Sequence, residues 1–263
     1  TDLKGLALLI SRSLVTREGE RLSIHQALSD AARARMPAEA EARHRGYYLS
    51  LVNQDRGDWR RIGGSYGQIK QAWMSVPDDE TLLELVWALR VFQERRGLWS
   101  DFLVWASRAL GLAEAKGWRR DTGALLNNIG WVYKALGQRE TALEYYGRAL
   151  PIREEVGDRP GLAATLNNLG MVYDALAQRE KALEYYRQAL PIMEEVGDRY
   201  GESVTRYNLA MLYRDLGRLP EAVAELKKVV ELDKLVQHPD LEADRAMLDQ
   251  VEQELAQKGD SPQ

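Results

Sequence analysis

The chain has 263 residues, of which 45% are hydrophobic and 29% are charged, a balance typical of an ordered globular protein. It contains no cysteine, which excludes disulfides, thiolate nucleophiles and cysteine-ligated zinc. The net charge of −4 argues against nucleic-acid binding, and no apolar run reaches the roughly 18–20 residues of a membrane span. We expect a cytoplasmic protein without a signal peptide. Because Thr1 stands inside a predicted element, we expect the chain to be a piece of something longer or a processed product.

The first predicted elements are a helix, a β-hairpin and a second helix. Residues 1–12 have the spacing of a short amphipathic helix, and two short strands, 14–16 and 21–24, follow it. Helical spacing then resumes and ends at Met36, which precedes a proline. This order predicts a small winged-helix-like remnant over residues 1–36.

A repeat with a period of forty residues organises the rest of the chain. Residues 121–160 and 161–200 are identical at 27 of 40 positions, so they are copies of one unit, and a looser copy extends to Leu226. A period of this length indicates stacked helical hairpins. We expect five hairpins, at residues 38–76, 81–117, 121–157, 161–197 and 201–237. The predicted domains are the remnant (1–36), a degenerate hairpin (37–80), the repeats (81–240) and a capping helix (241–258).

Small residues and aromatic rings alternate in a way that predicts how the hairpins pack. On the first helix of one repeat, an apolar stripe at three- and four-residue spacing includes Ile129 and Leu136 and should be buried. Gly130 lies in this stripe and allows close helix approach, while Tyr146 should fill the gap between hairpins. Pro151 falls inside the second helix, where we expect it to bend the axis.

The order of a small residue, an aromatic residue and an alanine within each unit resembles the tetratricopeptide repeat. The residues that carry the resemblance are Gly130, Tyr133, Ala142, Tyr146 and Ala149. The forty-residue unit is similar to the long variant of kinesin light chains and many bacterial regulators. The resemblance implies an all-α fold, a superhelical solenoid in which the first helices of the repeats line a concave groove.

The predicted groove residues recur at forty-residue spacing on three successive first helices. They are Asn127, Asn128, Trp131, Lys134, Asn167, Asn168, Met171, Asp174, Tyr207, Asn208, Met211 and Arg214. An asparagine offers both a donor and an acceptor, so a row of them could bond an extended peptide backbone. The alternative is that the asparagines bond the neighbouring helix and tune the stacking of repeats.

A second resemblance covers the N-terminal part. Residues 13–15, 22–25 and 41–48 are similar to the join between winged helix and repeats in STAND-type NTPases, the NB-ARC-like and MalT-like signalling ATPases. In that family a histidine of the winged helix senses bound nucleotide, and His25 matches it, although Gln26 replaces the acidic residue that follows. The resemblance implies the sensor region of such an ATPase, with His25 active only beside a nucleotide-binding domain that these residues do not include.

No enzyme chemistry is indicated. His25, His44 and His238 share no repeat register, and residues 63–70 do not fit the phosphate-loop pattern GxxxxGK[ST]. We predict no catalytic residue, no metal ligand and no cofactor. The sequence favours a sensor that binds a protein or peptide partner, with a small-molecule inducer as a further candidate, and a monomeric state for the isolated fragment. A stand-alone scaffold that joins two proteins is the alternative.

Overall fold

The computed structural model describes residues 15–18, 21–24, 38–54, 58–74 and 76–259. Strands β1 (Val15–Glu18) and β2 (Arg21–Ile24) pair in antiparallel fashion, with Val15 opposite Ile24. The hairpin therefore stands where the sequence predicted it. The two helices predicted on either side of it, and with them His25, lie outside the described residues, so the winged-helix assignment stays a prediction.

The described residues form eleven helices. They are α1 (Ala38–Gln54), α2 (Trp59–Met74), α3 (Glu80–Arg95), α4 (Trp99–Lys116), α5 (Arg119–Ala135), α6 (Arg139–Glu155), α7 (Arg159–Ala175), α8 (Arg179–Val196), α9 (Arg199–Asp215), α10 (Leu219–Val236) and α11 (Leu241–Gly259). Their bounds fall within the five predicted hairpins and the capping helix to within a few residues. None of these helices is both long and apolar enough to cross a membrane.

The chain divides into two compact units, residues 1–96 and 97–263. In the first unit, α1 packs against α2 and α3 around buried residues such as Val52 and Leu89. The glycine-rich stretch 63–70 lies inside α2 and is helical rather than a phosphate-binding loop. Gln93 stands where later repeats have an aromatic residue, and its side chain is fully buried and donates to the Tyr66 hydroxyl at 3.1 Å.

In the second unit, helices α4 to α11 pack in sequence order, each against the next. The two helices of a hairpin, such as α5 with α6 and α7 with α8, make the most extensive contacts. First helices of neighbouring repeats also touch, α5 with α7 and α7 with α9. This stacking buries apolar residues along the unit from Leu125 to Val251, the latter contributed by the capping helix α11.

Glycine and tyrosine pair across two of the hairpins, Gly130 with Tyr146 and Gly170 with Tyr186. A Cβ atom built on Gly130 would lie 2.9 Å from Cε1 of Tyr146, so the tyrosine ring packs directly on the backbone of the first helix. The same ring also contacts Leu169 and Val172 of the next repeat. Tyr146 therefore fills the gap between hairpins, as predicted, and in addition the gap within its own hairpin.

Candidate binding groove

All twelve predicted groove residues lie on the first helices α5, α7 and α9, and each of them is half-buried. Half-burial at every position means that these side chains pack against neighbours and still reach solvent. Direct contacts between the helices bring the three rows together, because α5 touches α7 and α7 touches α9. We call the surface that these twelve residues form the groove face, and its role in binding stays a prediction.

Two asparagines of the groove face bond the next repeat. Oδ1 of Asn127 accepts from the Thr165 hydroxyl at 3.1 Å and from Nδ2 of Asn168 at 3.3 Å. Oδ1 of Asn167 likewise accepts from the Thr205 hydroxyl at 3.0 Å. These two carbonyl oxygens thus bond the neighbouring first helix, which is the alternative to peptide binding that the sequence left open.

The second asparagine of each pair is oriented differently. Nδ2 of Asn128 donates to the backbone carbonyl of Ala124 at 2.8 Å, and a carbonyl can only accept, so this bond fixes the amide orientation. Nδ2 of Asn168 is committed to Asn127. Among the described residues, no donor bonds Oδ1 of Asn128, Asn168 or Asn208. We call these three amide oxygens the acceptor row. Hydrogen bonds fix the amide orientation of Asn128 and Asn168, whereas Nδ2 of Asn208 is itself buried without a partner.

Beside the acceptor row lie three large apolar side chains. Trp131 packs edge-on against Trp99 of α4, with ring centroids 5.4 Å apart. The Met171 sulfur accepts from Nζ of Lys134 at 3.5 Å, a contact that bridges two repeats. Met211 packs on the C-terminal part of the core. The strip is therefore apolar but held in place by defined neighbours.

The charged residues further along the groove face differ in how they are compensated. Arg214 forms an ion pair with Glu254 of the capping helix, with Nε 3.0 Å from Oε2, so it is committed to the end of the stack. Burial lowers the pKa of Lys134, and burial together with Asp215 raises the pKa of Asp174. Within the described part of the chain, neither Lys134 nor Asp174 has an ion-pair partner within 4 Å.

A cavity that the sequence did not predict opens beside Tyr207. It has a volume of about 290 Å³ and is lined by Ser203, Val204, Tyr207, His238, Asp240, Ala243 and Asp244. His238 lies in the connection between α10 and α11, outside the repeat register, so the forty-residue period gave no signal for it. Asp244 has the place of an ordinary first-turn acid of α11, which favours the helix dipole, yet it is buried.

Comparison with known proteins agrees with this geometry. Residues 121–195 and 180–235 match a family model described as "Tetratricopeptide repeat". The repeat region therefore has the tetratricopeptide-repeat fold, and the all-α fold class predicted from the sequence is confirmed. No curated protein sequence matches the chain significantly.

Several solved structures share the fold at low sequence identity. RapI in its apo form superposes with a TM-score of 0.69 at 17% identity, covering 81% of this chain and 84% of that one. Aspartyl phosphate phosphatase F from Bacillus subtilis gives 0.67 at 15% identity, covering 92% of this chain and 64% of that one. BtubC (BKLC) from P. vanneervenii gives 0.56 at 17% identity, with 83% and 94% covered. At such identities the likeness concerns the fold alone.

Proposed function

We propose that this chain is a binding module whose groove face captures an extended peptide segment of a protein partner. The observation that carries the proposal is the acceptor row of Asn128, Asn168 and Asn208, whose amide oxygens have no donor among the described residues. An extended peptide presents backbone N–H groups that need such acceptors. A polar group that reaches solvent only in part gains most from a ligand that supplies the missing bond.

Side chains next to the acceptor row would select among peptides. Trp131 and Met171 offer apolar area to large side chains of the partner, and Met adapts easily to different shapes. Lys134 and Asp174 have no ion-pair partner in the described part of the chain, so each can pair with an opposite charge on the ligand. A preferred peptide therefore carries an acidic and a basic residue one repeat apart.

Selection from a displayed library of random linear peptides tests this function without a known partner. The affinity of a selected peptide is then measured by calorimetry for the wild-type chain and for the Asn128→Ala, Asn168→Ala double variant. Losing two hydrogen bonds of about 1 kcal/mol each should weaken binding roughly thirty-fold. The matched control is Gln188→Ala, which removes an exposed amide from the second helix α8 and should leave the affinity unchanged. Equal affinities for the double variant and the wild type, with helicity intact, contradict the proposal.

Within this function we propose the finer role of sensor region in a STAND-type signalling ATPase. The proposal is supported by the resemblance over residues 13–48 and by the β1–β2 hairpin, which stands where a winged helix requires one. The reading frame upstream of Thr1 tests it directly. A Walker A motif there supports the sensor role. A start codon immediately upstream contradicts it and favours the stand-alone scaffold.

A further inference from the structure

We propose that Asp233, His238 and Asp244 form a binding site for one divalent metal ion, with Zn²⁺ preferred over Mg²⁺. Asp233 lies at the end of α10, His238 in the connection that follows, and Asp244 in the first turn of α11. One ligand atom from each residue lies within 4.8 Å of the other two. The site would tie the capping helix to the last repeat, and it does not depend on peptide binding by the groove face.

The three side chains are buried and incompletely bonded. Asp233 is 0% exposed, Asp244 8% and His238 9%. Oδ2 of Asp233 and Nε2 of His238 are shielded from solvent and have no hydrogen-bond partner among the described residues. Burying a polar atom without a partner is costly, so two such atoms in one cluster indicate a missing bound group.

The charge of the cluster points to a cation. Two carboxylates are buried together, and no Lys or Arg of the described residues forms an ion pair with either of them. A divalent ion would neutralise both carboxylates at once. A proton shared between the two carboxyl groups is the competing explanation, and the experiment below distinguishes them.

The donor set favours zinc. Carboxylate oxygen and imidazole nitrogen are common ligands of Zn²⁺, at distances of about 2.0–2.2 Å, whereas Mg²⁺ prefers oxygen ligands alone. Ligand atoms in a tetrahedral site of this size lie about 3.5 Å apart, so binding requires the cluster to contract slightly. The contraction is local, because His238 stands in the short connection between two helices.

Neighbouring polar groups supply the outer shell that metal sites require. The Ser203 hydroxyl donates to Oδ1 of Asp233 and orients that carboxylate. In the metal-free geometry, the Asp240 backbone N–H donates to Nδ1 of His238 at 3.2 Å. Binding through Nε2 moves the ring proton to Nδ1, which then gives up the bond from the Asp240 N–H and instead donates to the Asp240 carboxylate, whose Oδ2 lies 3.8 Å away. A carboxylate in this position is the usual second partner of a metal-bound histidine.

The cavity beside Tyr207 gives the ion a route and an open position. Its lining includes His238 and Asp244, so an ion held by the three ligands would face the cavity. With three protein ligands, a tetrahedral ion keeps its fourth position for water or for a small donor group.

The test is calorimetry with Zn²⁺ and with Mg²⁺ on the untagged 263-residue chain after EDTA treatment and dialysis. We expect one Zn²⁺ per chain, no comparable Mg²⁺ binding, and a rise in melting temperature on addition of Zn²⁺. Asp244→Asn should lower the Zn²⁺ affinity by about ten-fold or more, and Asp240→Asn should lower it about ten- to hundred-fold through His238. Asp249→Asn removes an exposed carboxylate from the same helix and should have no effect.

Each of the following outcomes would contradict the proposed metal site. Absence of Zn²⁺ binding at neutral pH assigns the cluster to a shared proton. Binding that survives Asp244→Asn places the ion elsewhere on the chain. Equal binding of Mg²⁺ and Zn²⁺ contradicts the role of His238 as a ligand. Because Asp244→Asn exchanges groups of nearly equal size and removes only a buried charge, its circular dichroism spectrum should match the wild type and validate the comparison.

Discussion

Gly170 and the ring of Tyr186 are in such close contact that a Cβ atom at residue 170 would lie 2.6 Å from Cε1 of the tyrosine. In the next repeat the same two positions hold Ala210 and Leu226, both fully buried. A larger residue on the first helix is thus accompanied by a smaller one on the second. The combined volume at this contact decides how closely the two helices of a hairpin approach.

Gly170→Ala should therefore destabilise the chain. The added methyl group overpacks a contact that contains backbone and a buried ring, at a cost of about 1–3 kcal/mol. Combining it with Tyr186→Leu recreates the pair found in the next repeat, so the double variant should be more stable than the sum of the two single effects. Chemical denaturation of the four proteins measures this coupling.

The matched control for that series is Gly147→Ala, in the interior of α6. A Cβ atom there meets nothing within 4 Å, so the substitution should stabilise by up to about 1 kcal/mol through helix propensity. Additive effects of Gly170→Ala and Tyr186→Leu would show that the two residues are not coupled.

Ala177 should be improved by glycine. It follows the first helix α7 with φ of +56°, whereas the equivalent positions one repeat before and after are Gly137 and Gly217, with φ of +75° and +72°. A side chain in the left-handed region costs about 1–2 kcal/mol, and glycine loses part of that gain through the entropy of the unfolded chain. We expect Ala177→Gly to raise the free energy of unfolding by about 0.5–1 kcal/mol, and a lower melting temperature would contradict this account.

Arg206 is the centre of a buried ionic cluster. Its guanidinium bonds Glu202 and Glu225 at 2.7 Å each and also contacts Glu194. Arg206→Met leaves the poorly exposed carboxylate of Glu202 without a partner and Glu225 with Lys228 alone, at 3.2 Å, which should cost about 3–5 kcal/mol. Arg148→Met is the control, because its pair with Glu114 is about half-exposed and should contribute no more than about 1 kcal/mol. Similar melting temperatures for the two variants would show that burial does not determine how much these ion pairs stabilise the fold.

The pKa of Asp244 makes stability depend on pH in metal-free buffer. Burial, followed by a hydrogen bond with the Asp233 carboxyl group and the charges of Asp233 and Asp240, raises its folded-state pKa to about 7, above the unfolded value of about 3.9; His238 and Tyr207 also face it. The contribution is fully present below about pH 4 and is lost as pH rises through 7. With EDTA present, the free energy of unfolding of the wild type minus that of Asp244→Asn should therefore decrease as the pH rises from about 4 to about 7. A flat difference contradicts the shift.

The sequence predicted the helices and their order because a forty-residue period repeats whole units, and helix spacing repeats with it. It predicted less well where a helix ends. Leu136 belongs to the apolar stripe of α5, but the helix ends at Ala135 and the side chain is 42% exposed.

The sequence alone also could not predict which asparagines bond the next repeat. The period aligns Asn127 with Asn167, but it says nothing about which amide atom faces the next repeat. That choice depends on Thr165 and Thr205, whose hydroxyls occupy the carbonyl oxygens. The cluster around His238 lies outside the period and forms only when α11 folds back on α10.

The central claim is that Asn128 and Asn168 accept hydrogen bonds from the backbone of a bound peptide. Backbone N-methylation, scanned along a peptide selected for binding, removes one N–H at a time, and calorimetry gives the affinity for wild type, Asn128→Ala and Asn168→Ala. At one site, methylation should lower the affinity roughly five-fold for the wild type but not for Asn128→Ala. At a second site, it should lower the affinity for the wild type but not for Asn168→Ala. Methylation losses that are the same in all three proteins would contradict the account.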